Sequence, residues 1–234
     1  MPSPLRRMGI LVFACALAAC GSLPSRQHGD YVARLELLAL LQTLNAELLS
    51  HDSATLTLEH WCTAHQLAGD VPAAQVRIIA RRVHDADRPI PDELRARLDL
   101  GAGEPVRYRH VQLVCGERVL SEADNWYVPS RLTPEMNRRL DSTDEPFGKV
   151  VKPLGFQRRT IAAELLWSPL PPRWEANPAE PTPAHAHEVL RIPRAVLRHQ
   201  AVLHTAAQQP FSALIETYTN RNFALESRTW SLDE

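Results

Sequence analysis

Val106-Arg107-Tyr108-Arg109-His110-Val111-Gln112-Leu113-Val114-Cys115, then Gly116-Glu117-Arg118, then Val119 through Val128, is the stretch from which the architecture can be read. Val106 and Tyr108, then Val111 and Leu113, alternate with polar residues, the period of a half-buried strand. A second apolar run follows after a short turn containing Gly116, which makes the pair a β-hairpin. Everything else is placed around that pair.

Upstream, Tyr31 to Leu49 is dense in leucine at helical spacing (Leu35, Leu38, Leu41, Leu44, Leu48) and reads as an amphipathic helix. Ser53 or Thr55 could cap a second helix from Leu56 to Leu67, with Leu58, Trp61 and Cys62 on one face. Val76 to Val83 is β-branched and reads as a strand. Pro91-Asp92-Glu93-Leu94 opens a short helix, with proline near the first turn, where it is tolerated. Downstream, Thr133-Pro134-Glu135 caps a helix to Leu140. A short element begins at Pro146-Phe147-Gly148 and is continued by Phe156 to Trp167. Residues 168–186 are rich in proline and read as a loop. Two strands, Ala195 to Thr205 and Phe211 to Thr219, close the chain. The expected class is α+β, a mostly antiparallel sheet with helices on one side.

The net charge of −1 gives no footprint for nucleic acid. Nearly all cations are arginines, Lys149 and Lys152 being the lysines, and arginine grips carboxylates with a rigid fork. His60, Cys62 and His65 are not spaced to gather on one helix face, so no metal site is expected. No cofactor is expected either. Cys62 and Cys115 could form a disulfide or remain two buried thiols. His185-Ala186-His187-Glu188 is expected to face solvent. Ser121 and Ser212 show no nucleophile-base pattern.

The N-terminus has Arg6-Arg7, an apolar stretch from Met8 to Ala16, then Leu17-Ala18-Ala19-Cys20-Gly21. It is similar to a bacterial lipoprotein signal, with residues 1–19 removed and Cys20 acylated. The expected organisation is residues 20–29 as a tether and residues 30–234 as one domain. On that reading the protein is a monomer facing the periplasm and held by lipid to a membrane, the outer one before the inner.

Several strings, in order, resemble the chorismate pyruvate-lyase family and its wider superfamily, which includes ligand-sensing domains of bacterial regulators. They include Leu44-Asn45, Ala54-Thr55-Leu56-Thr57 and Arg82-Val83-His84-Asp85. Further along come Tyr108 to Gly116, Ala123 to Pro129, Thr143 to Gly148 and Pro210 to Tyr218. The resemblance implies that Arg109 holds a ring carboxylate and Glu216 faces the far end of the ring. Arg107 and His110 remain alternatives for the first position. It implies that Phe147 and Gly148 line the ligand. It also implies a second cation for an enolpyruvyl carboxylate, drawn from Arg198, Arg194, Arg158 and Arg159. The ligand would be a small aromatic or enolpyruvyl carboxylate. The reaction implied is elimination of pyruvate from chorismate to give 4-hydroxybenzoate. The alternatives are an envelope lipoprotein that binds an aromatic carboxylate without chemistry, or a structural lipoprotein whose pocket is filled.

Overall fold

The structure, a computed structural model, describes residues 26–84, 87–176, 190–225 and 230–233. The hairpin forms as expected: β2 (Arg107–Cys115) pairs with β3 (Arg118–Tyr127), turning at Gly116 with φ +56°. That backbone region suits glycine, and a Cβ there would stand 3.3 Å from the Ala68 backbone. β1 (Ile78–Arg82) adds to the free edge of β2. On the other side β3 pairs with β7 (Pro210–Thr219), then come β6 (Ala195–His204) and β4 (Gln157–Leu165). The six-stranded sheet therefore runs β1-β2-β3-β7-β6-β4, with every pairing antiparallel. The chain is α+β, as expected.

Four helices lie on one face of the sheet. α1 (Arg26–Ser50) buries Leu37, Leu41, Leu44 and Leu48 at the three-and-four spacing of a helix stripe. The expected stripe began at Leu35 and Leu38, but the buried one runs through Leu37. α2 (Ala54–Ala64) is capped by Ser53, whose hydroxyl accepts from the Leu56 amide, and it buries Leu58, Trp61 and Cys62. These side chains join Ile78, Val111, Leu113, Ala123 and Tyr218 in one core cluster. α4 (Pro134–Ser142) and α5 (Phe147–Val150) form a second cluster with Tyr127, Leu203, Phe211 and Leu214. The short helix expected at Pro91 forms as α3 (Asp92–Arg97), but it covers the opposite face and not the side of the other helices, packing Leu94 and Leu98 on Trp126, Val202 and Ala213.

Cys62 of α2 and Cys115 of β2 form a disulfide, which settles the alternative left open by spacing. Two three-residue strands, β5 (Leu190–Ile192) and β8 (Trp230–Leu232), pair in parallel and have no counterpart in the expectations. Phe156 to Trp167 does not continue the element at Phe147. α5 is a single turn, and β4 is a separate edge strand. The helix α1 already begins at Arg26, inside the stretch read as a tether. Residues 1–25, including Cys20, lie outside the described residues, as do His185 to Glu188 and the loop from 177 onward. Among the described residues no helix is long and apolar enough to cross a membrane.

Candidate functional site

The two clusters leave a small cavity between the sheet and the helices. Strand register explains what faces it. Arg109 on β2 stands opposite Asn125 on β3, which stands opposite Leu214 on β7. Side chains repeat on a face every two residues, so Glu216, two positions beyond Leu214, joins the same face. Arg158 comes from β4, opposite Leu203 of β6. The lining is completed by Asp52, Ser53, Ala54 and Thr55 at the start of α2, and by Phe147, Gly148 and Phe156. The cavity volume is about 40 Å³, room for a few waters. Gly148 lets α5 approach α2, because a Cβ there would meet Ser53 Oγ at 3.2 Å and Thr55 Oγ1 at 3.6 Å.

Arg109 is only 6% exposed. Its Nη2 donates to the Glu145 carbonyl at 3.3 Å, while Nε and Nη1 are buried without partners. Burial, then repulsion from Arg82, brings its pKa down to about 10. It remains a cation at neutral pH, shut off from solvent and felt by Asp144 and Asp141 without being bonded to either.

The far end of the cavity is paired. Arg158 Nη2 donates to Glu216 Oε2 at 2.6 Å, and the Tyr218 hydroxyl donates to the same oxygen at 2.9 Å. Oε1 is then the atom able to accept from a ligand. Burial works against the charge on Arg158, but Glu216 and Tyr218 more than offset it, and its pKa is raised. Burial, then the Glu216 carboxylate, pushes the Tyr218 phenol well above its usual value, so it stays a donor. Below them His199 is fully buried, with Nε2 2.9 Å from Asn45 Oδ1. Burial, then Arg158, against an opposing pull from Glu216, lowers its pKa to about 4. The lining carries two guanidiniums, Arg109 and Arg158, and two carboxylates, Glu216 and Asp52, with Glu216 paired to Arg158 and Asp52 turned to the Arg158 backbone amide, so Arg109 is the cation without a bonded carboxylate. The arrangement can hold one anionic group on Arg109 and a polar group against the Arg158–Glu216 pair.

Of the residues expected at the site, Arg109, Glu216, Phe147 and Gly148 come together around this cavity. Arg107 does not. It lies one turn of the pleat outward, half exposed, bonded to Asp141 at 3.0 Å. Arg198 is on the other side of β6, 42% exposed and 3.9 Å from Glu164, because its neighbour His199 takes the inward position. Arg194 pairs with Glu122 at the surface, and Arg159 bonds Gln208. Among the four cations considered for the second position, the cavity holds Arg158. Tyr218, His199 and the Ser53–Thr55 cap were not read as site residues. Their shared signal is polar residues at inward positions of strands or at a helix start.

Fold and site together define an antiparallel α+β domain with a buried, arginine-lined cavity beneath its helices. The uncharacterized protein y4mC of Sinorhizobium fredii (strain NBRC 101917 / NGR234) is 50% identical over 192 residues, 82% of this chain and 78% of that protein. The chain belongs to the family of that protein. No family model matches it. Among solved structures, PhnF from Mycobacterium smegmatis is similar over 78% of this chain and 67% of its own, with 12% identity and a TM-score of 0.43. The transcriptional regulator (GntR family) from Enterococcus faecalis V583 is similar over 62% of this chain and 96% of its own, at 13% identity and a TM-score of 0.38. For the possible transcriptional regulator YydK from Bacillus subtilis the identity is 15% and the TM-score 0.37. There the likeness covers 62% of this chain but 59% of YydK, under two thirds of its length. The expectation of a lipid-anchored, periplasm-facing protein is corrected here: two of the three solved structures above are described as a transcriptional regulator or a possible one.

Proposed function

We propose that this protein binds a small aromatic carboxylate in the cavity between Arg109 and the Arg158–Glu216 pair. The observation that carries the proposal is Arg109 itself, a guanidinium 94% removed from solvent with two unbonded nitrogens. A carboxylate would accept from one of these nitrogens and bring a counter-charge into contact with the guanidinium. A ring would lie against Phe147, Phe156 and Leu214, and a para hydroxyl would donate to Glu216 Oε1. A ring needs more room than the cavity's volume of about 40 Å³, so its lining has to yield on binding. Calorimetric titration with 4-hydroxybenzoate tests this. Binding by the wild type, lost in Arg109→Gln, is the expected result, and equal affinity in the two sinks the reading.

A second reading, elimination of pyruvate from chorismate, is favoured by the opposition of a lone cation and an oriented carboxylate across the ring position. In that step the ether C–O bond breaks and a ring proton leaves as the ring aromatises. The enolpyruvyl fragment gains a proton and departs as pyruvate. Arg109 would hold the ring carboxylate, Arg158 the enolpyruvyl carboxylate, and Glu216 the proton. Glu216→Gln separates the readings: a lyase loses pyruvate release, whereas a binder keeps its affinity within a few-fold. No pyruvate from the wild type leaves binding alone.

A further inference from the structure

A larger groove, about 660 Å³, lies directly outside the cavity. Its walls include Leu56, His60, Lys152 and Glu47, and it shares three residues with the cavity: Asp52, Ser53 and Phe156. The two spaces are therefore separated by one layer, the connection from α1 to α2 and the Phe156 ring. That layer is latched: Asp52 Oδ1 accepts from the Arg158 backbone amide at 2.8 Å, which ties the connection to the start of β4. Leu56, 40% exposed, presents an apolar side chain to the groove in the first turn of α2. Arg158 thus touches both compartments, its guanidinium on Glu216 inside and its amide on the latch at the boundary.

From this continuity we infer that the groove is the outer half of a two-part site, and that the ligand class is a 4-hydroxybenzoate carrying a second apolar group on the ring carbon beside the hydroxyl. The inference rests on the proposed carboxylate site. The carboxylate sits on Arg109, the first ring fills the inner cavity, and the substituent passes under the opened Asp52 latch to lie on Leu56 and Phe156. Single-ring acids occupy the inner half alone.

The test compares 4-hydroxybenzoate with 3-benzyloxy-4-hydroxybenzoate by calorimetry on the full chain. Burial of the second ring is expected to tighten binding about tenfold or more. Leu56→Glu is the discriminating variant. It puts a charge in the groove, yet it sits three residues after the Ser53 cap, where glutamate completes a capping box, so the helix is kept. The expected result is about a tenfold loss for 3-benzyloxy-4-hydroxybenzoate with 4-hydroxybenzoate unchanged, the latter showing that the fold and inner site are intact. Equal affinities of the two acids for the wild type, or an equal effect of Leu56→Glu on both, overturn the two-part site and leave the inner one. Failure of both acids to bind the wild type overturns the inner site and the groove with it.

Discussion

A buried guanidinium with unbonded nitrogens destabilises the fold that holds it, and Arg109 gives the sign of a measurable trade. Arg109→Met keeps the length and removes the charge. It is expected to raise stability in urea by about 1 kcal/mol while abolishing carboxylate binding. A loss of stability would mean the single bond to the Glu145 carbonyl outweighs the burial of the charge. Arg158 gives the opposite sign, because its partner is also buried. Arg158→Ala leaves Glu216 without its cation and should cost about 3–5 kcal/mol, and the double change with Glu216→Gln should recover much of that. His199 sets a pH dependence. Its folded pKa of about 4 lies below the ordinary 6.5, so the unfolded chain takes up a proton first as pH falls. Its contribution is intact above pH ~6.5 and is lost progressively toward pH ~4. Thermal midpoints measured across that range should fall more steeply for the wild type than for His199→Phe. Parallel curves would remove His199 as the cause.

At the level of elements, α2 is fixed at both ends. Its first turn meets α5 through Gly148, and its last turn is bonded to β2 through Cys62 and Cys115. The cystine spans 53 residues of sequence, for which loop-closure entropy alone gives about 4 kcal/mol of stabilisation. Urea denaturation with and without reductant should show a loss of that order, with the double Cys→Ala variant insensitive to reductant. Gly148→Ala tests the other end. The added methyl must displace Ser53 or Thr55, and a loss of about 1 kcal/mol is expected. The pleat also shows why the site was only partly legible. Arg109 is readable because the hairpin is regular through it, with its register shift further on, between Leu113 and Val114. Arg198 and Arg158 are both arginines in late strands, and composition does not separate them. Register shifts at Thr160/Ala162 in β4 and Ala195/Leu197 in β6 help set which arginine faces inward. A bulge of one residue reverses the facing of everything beyond it, and nothing local in the sequence announces it.

For the whole molecule, the long elements could be read because each carries its own period: leucines along α1, alternation along β2 and β3, proline and threonine at the start of α4. β5 and β8 could not, since three residues hold no period and their pairing joins distant parts of the chain. The order of the sheet has a further consequence. β1, β2 and β3 form one flank and β7, β6 and β4 the other, and the flanks are joined along the single seam between β3 and β7. Arg109 belongs to the first flank, Glu216 and Arg158 to the second. A molecule held by all three is a rivet through that seam. The rivet hole is finished only when β7, the last strand of the sheet to be synthesised, has docked. A chain emerging from the ribosome can therefore recognise nothing until Pro210–Thr219 has emerged and docked, and from then on the proposed ligand would be a late fastener of the fold as well as its cargo.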